Sequence, residues 1–543
     1  NAMVGMHRLL LLAALLSLCL SLSAITPVPT SGMTSGSKRI RILHVTDVHG
    51  WIYGHRHNDT LNADFGDFLS LVAHLRSAAA ANGEEFFLFD TGDLIEGTGL
   101  SDAAPVHGQY IFPIAQKITY DAMTIGNHDV GHPATTSLMM EKNGFIDSFN
   151  GRYITSNVLW KETDQQMGST YQLIETESGT RVLVLGFLYN FNQNANNTEV
   201  TFMEQSVVSP YFLKAMQEDC DFIVTICHID PQGQWADQLQ TLYLALRQHH
   251  PTRTLVLLSG HRHVKYFQQY DASAFTLESG KYFETLGHIQ FDLEANGTMS
   301  NLQTDWFNTN LDVFYSLTGT NSGNFEIPEA SELKTMMSKY YDLLQLNTTI
   351  GCSPAHYSAI TGLDDPNSFY RLLINDIVPK VILIVPTENE LFYVTNNAFL
   401  RFDLYGGRVN KDDIYTVAPF NDTMNIVRAV YSEHLRELLI ALNANTTEVA
   451  EDCLRRPPPE QDPDVLPKFV YNTPDFEKYK MFDIVASAYD SFVISNKLAE
   501  MYPGHHFTVE NYGLPYTSTL ALEKYVTDYM PCANEDEESN AYA

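Results

Sequence analysis

The octet TIGNHDVG, residues 124–131, sets Asn127, His128 and Asp129 side by side where a short apolar run ends. A turn accounts for the Asn and the Asp, and a single His can fall anywhere. Alone, the octet decides nothing. Its neighbours in the chain decide it. The runs RIRILHVTD, EFFLFDTGD, DAMTIGNHD, RVLVLGFL, DFIVTICHID and TLVLLSGHRH alternate, between Arg39 and Leu302, with helix-like stretches such as DFLSLVAHLRSAAAANG and WADQLQTLYLALRQHH. Strand-like runs separated by amphipathic segments predict a layered α/β domain.

Five of these runs end in the same kind of residue. The first ends in Asp47-Val48-His49, the second in Gly92-Asp93 and the third in Asn127-His128-Asp129. A later run ends in His228, and the last in Gly260-His261-Arg262-His263. Ligand sites of α/β sheets form at the carboxyl ends of the strands. That edge therefore collects carboxylates, an amide and imidazoles, an N/O donor set suited to zinc, manganese or iron. Each piece has an ordinary explanation: D-x-H recurs by chance, GD commonly precedes a turn, and H-x-H on a loop can be solvated. All five together, in order and each at a strand end, do not.

The chain has 543 residues, which is too many for one core, so two domains are expected. A net charge of -32 argues against a nucleic-acid polymer as partner. It does not exclude a small anionic substrate, because bound cations reverse the local field.

Asn1-Ala2 ahead of Met3 read as an added scar. His7-Arg8, the run LLLLAALLSLCLSLSA and the small residues at its end read as a secretory signal peptide over residues 1–24. The run is short for a membrane span, and no later stretch is long and apolar enough to be one. The protein is thus expected in the secretory lumen or outside the cell, without a stable membrane anchor. Six N-x-S/T sequons, at Asn58, Asn196, Asn296, Asn347, Asn421 and Asn445, agree with that address, although some must be fortuitous.

Of six cysteines, Cys19 would leave with the signal. Cys220 and Cys227 lie at the two ends of one strand-like run, about 23 Å apart, so they cannot pair and are expected as buried free thiols. Cys352, Cys453 and Cys532 can supply one disulfide and one leftover. Residues 308–325, polar and rich in Gly and Asn, read as a loop; IPEASELKTMMSKYYDLLQL then reads as a bridging helix. A second region follows, with RRPPPEQDPDVLPK, 455–468, as a Pro-rich insertion.

DVH (47–49), GDLIEG (92–97), GNHD (126–129), CH (227–228) and GHRH (260–263) resemble the motif set of the calcineurin-like metallophosphoesterases. Within that family the likeness is to the secreted 5'-nucleotidase branch, especially its eukaryotic, fungal-type members. NADFGDFLSLVAHLR, DTGDLIEGTGLSDA and LESGKYFETLGHI carry that likeness, and NNAFLRFDL and YTVAPFNDT extend it to the second region. The resemblance implies a four-layer α/β/β/α catalytic sandwich over 39–305, a linker and bridging helix over 306–349, an α/β substrate-specificity domain over 350–530 and an acidic tail over 531–543.

It also implies two divalent ions, with zinc, manganese or iron expected. One would be held by Asp47, His49 and His263 and the other by Asn127, His228 and His261, with Asp93 and a hydroxide bridging them. His128 would face the reacting phosphoryl group and protonate the leaving oxygen. Asp129 would orient His128, in place of a further Asp that many members carry where this chain has Gly131. His132, His55 and His57 read as solvated loop residues.

The family's nucleoside-binding segment N-x-G-G-x-R stands here as NNAFLR: Asn396 and Arg401 remain, but Ala398 and Phe399 replace the glycines. Pro419-Phe420-Asn421 partly keeps an aromatic segment. Asn396, Arg401 and Phe420 are the expected substrate contacts, with Asn421 unglycosylated so that the pocket stays open. Tyr489 and Phe492 read as core packing, with ring stacking on a ligand as the alternative. The expected reaction is hydrolysis of nucleoside 5'-monophosphates. The alternatives are the same chemistry on a UDP-sugar, cyclic nucleotide or sugar phosphate, an inactive secreted binding protein on this scaffold, or a structural glycoprotein.

Overall fold

The computed structural model describes residues 36–444 and 466–532. The signal segment, the sequon at Asn445, Cys453, most of the Pro-rich stretch and residues 533–543 lie outside the described residues.

Two sheets form the first unit. One runs in the order Met299–Asn308, Thr285–Leu293, Lys38–Val45, Glu85–Asp90, Ala122–Met123. The other runs Lys265–Asp271, Ala274–Ser279, Thr254–Ser259, Phe222–His228, Arg181–Leu188, Gln172–Glu175. Side chains alternate across each strand. Ile40, Ile42, Phe87 and Phe89 of the first sheet meet Val182, Val184, Phe222, Val224, Val256 and Leu258 of the second in one buried cluster. Phe222 packs edge-on against Phe291 across that layer, with ring centroids 5.7 Å apart.

The residues between them point outward. Leu43, Val45 and Leu88 join Phe68, Leu71 and Val72 of helix Phe65–Asn82. Ile223, Leu255 and Leu257 join Leu239, Leu242 and Leu246 of helix Ala236–His249. The fold is therefore helix, sheet, sheet, helix. Helix Phe65–Asn82 starts at a capping box between Asp64 and Asp67 and stops at Gly83, which is left-handed at φ 67°.

Neighbouring strands run parallel within two sets: Lys38–Val45, Glu85–Asp90 and Ala122–Met123 in the first sheet, and Ala274–Ser279, Thr254–Ser259, Phe222–His228 and Arg181–Leu188 in the second. Their carboxyl ends share one edge, and the loops leaving that edge carry all five motifs.

Residues 311–318 are helical, contrary to the loop reading of 308–325. The Gly and Asn that suggested a loop are caps. Asn310 accepts the N–H groups of Asp312 and Val313, and left-handed Gly319 closes the helix over buried Phe314. Helix Pro328–Leu343 lies along helix Phe65–Asn82, burying Ala330, Leu333, Met337 and Tyr341.

The second unit is built on a mixed sheet in the order Phe469–Tyr471, Glu390–Asn396, Met481–Ser487, Met424–Tyr431, Val509–Asn511. Tyr393, Ile426 and Val485 face one helical layer; Phe392, Val427 and Ile484 face another. Cys352 and Cys532 form a disulfide, and Cys220 and Cys227 are free and buried. Specific contacts dock the second unit on the first. Asp412 accepts the Gly99 N–H at 2.8 Å and the Tyr341 hydroxyl. His57 pairs with Asp413 at 2.9 Å, and Trp51 packs on Phe402 with centroids 4.6 Å apart. Among the described residues, no helix is long and apolar enough to cross a membrane.

Candidate metal centre and active site

Asp47, His49, Asp93, His228, His261 and His263 are all buried, each less than one-tenth exposed. Five of them sit on left-handed backbone: Asp47 at φ 49°, His49 at 49°, Asp93 at 55°, His261 at 81° and His263 at 66°. Non-glycine residues rarely adopt that region, and such strain collects where loops must aim side chains. Gly126 makes room for this crowding: a Cβ there would lie 2.0 Å from the Asp93 carboxylate.

The atoms converge in two groups. His49 Nε2 lies 3.0 Å from His263 Nε2 and 3.6 Å from Asp93 Oδ2, and His263 Nε2 lies 3.2 Å from Asp47 Oδ1. His228 Nε2 lies 3.1 Å from Asp93 Oδ2 and 3.1 Å from Asn127 Oδ1. Asp93, His228 and His261 form the second group, so Asp93 belongs to both.

Backbone carbonyls fix two tautomers. His49 Nδ1 donates to Glu96 O at 2.8 Å, and His228 Nδ1 donates to Thr91 O at 2.9 Å. A neutral ring so held turns the Nε2 lone pair into the centre. His49 Nε2 then faces a second imidazole nitrogen, and His228 Nε2 faces two acceptor oxygens. Lone pairs brought this close need a cation between them. Asp93 and Asp47 surround the His228 ring with negative charge that outweighs its burial, so the centre favours positive charge there. The donor set therefore fits a pair of divalent ions.

His128 stands at the rim of this centre. Its backbone N–H donates to Asp93 Oδ1 at 2.9 Å, and its ring lies 4.9 Å from that of His49. Its Nδ1 is held at 2.5 Å by Glu96 Oε2. Burial works against its charge, but Asp93 and Glu96 prevail and hold it at about 9.

Asp129 does not orient His128. Its carboxylate accepts the backbone N–H groups of Asp93 at 3.0 Å, Leu94 at 3.1 Å and Gly126 at 2.8 Å, tying two motif loops together. The orienting acid is Glu96, from the GDLIEG motif, at φ 67°. No periodicity or spacing marks it; the only hint is an acid before Gly97, three residues beyond Asp93. Tyr282 is a second residue missed. Its N–H donates to Asp47 O at 2.7 Å, and its ring lies 5.6 Å from those of His49 and His263.

Three histidines read as solvated are engaged. His132 pairs with Glu96 at 2.8 Å. His55, buried, bonds to Tyr282 O at 2.7 Å and stacks on Trp51. His57 pairs with Asp413 between the two units.

The second unit brings Arg401 and Phe420 to His128. The Phe420 ring lies nearly parallel to His128, with centroids 6.0 Å apart. The Arg401 guanidinium sits over Phe420 at 5.1 Å, and its Nε donates to the Tyr282 hydroxyl at 3.2 Å. Buried Arg401 adds to desolvation in lowering His263.

Asn396 borders the same cleft, but its amide is committed: Nδ2 donates to Asp490 at 2.7 Å and Oδ1 accepts the Ala398 N–H at 2.7 Å. It shapes the turn that leads to Arg401 and does not reach out to a ligand. The cleft, about 900 Å³, runs from His128 and Phe420 between Tyr189, Phe191 and Trp235 on one wall and Tyr489 and Phe492 on the other. Tyr489 and Phe492 are 45% and 57% exposed, so they line the cleft and are not core residues.

The family profile of the calcineurin-like phosphoesterases matches residues 40–265, and that of the NAD nucleotidase C-terminal domain matches residues 356–479. The chain is 29% identical over 445 residues to an uncharacterised protein of Schizosaccharomyces pombe, covering 75% of this chain and 73% of the relative. It is 27% identical over 453 residues to a protein of Arthroderma benhamiae called a secreted protein, covering 75% of this chain and 67% of that one. The crystal structure of a 5'-nucleotidase from Candida albicans superposes with a TM-score of 0.80 at 23% identity, over 90% of this chain and 98% of that chain. The chain thus carries a calcineurin-like phosphoesterase domain over residues 40–265 and a domain of the NAD nucleotidase C-terminal type over residues 356–479, in the fold of the 5'-nucleotidases.

Proposed function

We propose that the protein hydrolyses nucleoside 5'-monophosphates to nucleoside and phosphate, with residues 39–305 as the catalytic unit and 350–530 as the substrate-specificity unit. The observation that carries this reading is the placement of Phe420 and Arg401, from the second unit, against His128 beside the Asp/His centre. Asp47, His49 and His263 would hold one divalent ion and Asn127, His228 and His261 the other, with Asp93 shared. Zinc, manganese or iron suits these donors. When bound, such a pair lowers the pKa of water and neutralises charge on the phosphoryl oxygens.

The protein's own residues do the rest. Glu96 holds Nδ1 of His128 and leaves Nε2 for the substrate. The Glu96 carboxylate favours the charged imidazole, the form that donates a proton to the leaving oxygen. Arg401 offers its charge to the phosphate, and Phe420 offers a ring face to the base.

A second reading keeps the centre and enlarges the substrate. A cleft of about 900 Å³ with exposed Tyr489 and Phe492 has room for a UDP-sugar beyond the size of a mononucleotide. An inactive binding protein is disfavoured by the complete donor set. Secretion is part of the proposal. It is supported by the Cys352–Cys532 disulfide, a bond that persists in oxidising compartments, and by the relative called a secreted protein.

The test is phosphate release from AMP, UMP, a UDP-sugar, a cyclic nucleotide and p-nitrophenyl phosphate. Preference for AMP or UMP supports the first reading. Preference for the UDP-sugar moves the substrate to the second. Equal cleavage of every ester, p-nitrophenyl phosphate included, removes any specificity role from Phe420 and Arg401.

A further inference from the structure

A second group of ligand-type side chains lies in the wall of the cleft. Helix Gly99–Asp102, the loop after it and His132 at the start of helix Pro133–Met139 bring Asp102, His107 and His132 around Glu96. Glu96 Oε1 lies 3.1 Å from Nδ1 of His107 and 2.8 Å from Nε2 of His132. One donor atom from each of the three lies within 4.8 Å of the others. Two ligands about 2.1 Å from a common ion and at right angles to each other stand roughly 3 Å apart. The spacing is that of a chelate. Hydrogen bonds have the same length, so spacing alone does not decide.

Asp102 provides the independent observation. It is 3% exposed, and its Oδ2 accepts the Gly97 N–H at 2.7 Å. Its Oδ1 is buried without a hydrogen-bond partner among the described residues and faces Nδ1 of His107 at 3.9 Å. An orphaned buried acceptor is costly. Burial pushes this carboxyl up to about 7, with neighbouring Glu96 adding to it against His107.

We propose that Glu96, His107 and His132, with Asp102 behind them, form a third divalent-cation site, separate from the pair at Asp93. The two-nitrogen, two-oxygen set suits zinc and its first-row neighbours. His132, 51% exposed at its side chain, opens the site to the cleft, so an ion can enter and keep open positions for solvent or a substrate oxygen. Glu96 Oε2 holds His128, so the same carboxylate would join this ion to the active-site imidazole, as outer carboxylates do in metal sites.

The experiment counts zinc by mass spectrometry in full-length protein that has been stripped, reloaded with Zn²⁺ and desalted. Three ions per chain are expected for the wild type, two for the His107→Ala/His132→Ala double variant and one for Asp93→Asn. Two ions in the wild type, or three in the double variant, would overturn the proposal. The wild type also gives a direct answer: anomalous diffraction at the zinc edge should show a peak between Glu96, His107 and His132. Peaks confined to the Asp93 pair would contradict it. Three bound ions with no AMP hydrolysis would count against the proposed substrate and leave this site standing.

Discussion

The Glu96 carboxylate grips Nδ1 of His128 at 2.5 Å, while the acid next to His128 in the chain, Asp129, is spent on three backbone N–H groups. The two acids therefore fail differently when removed. Glu96→Ala should lower kcat about 10²-fold, the lower end for losing a positioned general acid, and change KM little. Glu96→Gln, which keeps an oxygen for Nδ1, should recover part of that loss. Asp129→Ala should act on stability, because each orphaned buried N–H costs about 1–3 kcal/mol. Steady-state phosphate release and urea unfolding separate the two. A stable Asp129→Ala with a hundredfold lower kcat, beside a fully active Glu96→Ala, would reverse the assignment.

That pair also marks the limit of reading this chain without coordinates. Asp47, His49, Asp93, Asn127, His228, His261 and His263 were legible because each follows an apolar run, and parallel strands bring such ends to one edge. Glu96 was not, because its reach depends on a left-handed backbone that no residue pattern announces. Tyr282 and the engaged His55, His57 and His132 were hidden for a related reason: their partners lie in other loops or in the other unit. Tyr489 and Phe492 look like core residues in any hydropathy reading, and only the position of their helix at the cleft exposes them. The helix at 311–318 was lost because capping residues and loop residues are the same amino acids.

His128 and Asp93 should come apart in a metal assay. His128→Asn is expected to lose most turnover, about 10²–10⁴-fold, and to keep both ions of the pair. Asp93→Asn is expected to lose the pair along with activity, since a neutral amide cannot stand in for a carboxylate shared by two cations. Elemental analysis beside a phosphate assay checks both. Loss of the pair from His128→Asn would place His128 among the ligands.

Arg401 and Phe420 should carry substrate affinity. Arg401→Ala is expected to cost about tenfold or more in kcat/KM for AMP, the loss of one charge-assisted contact. Phe420→Ala should raise KM for AMP by about fivefold or more, in keeping with about 1–3 kcal/mol for a base stacked on an aromatic ring. Neither should change cleavage of p-nitrophenyl phosphate as much. Equal losses on both substrates would make the pair structural.

Asn421 should remain unglycosylated. Its side-chain oxygen accepts the Thr517 hydroxyl, and its N–H donates to Thr519 Oγ at 3.0 Å, beside the cleft-lining Phe420. Asn296, exposed at a turn, is the contrasting sequon. Peptide mapping of protein made in a secretory host should find glycan at Asn296 and none at Asn421; a fully occupied Asn421 would count against Phe420 as a pocket wall.

The central claim is that the Asp/His edge is a working metal centre for nucleotide phosphoesters. The most direct measurement is phosphate release from AMP by one preparation of the full chain, before chelation, after chelation and after addition of manganese or zinc. The account predicts release, its loss on chelation and its return with metal. Release that survives complete removal of metal, or no release from folded protein shown to hold two ions, would contradict it.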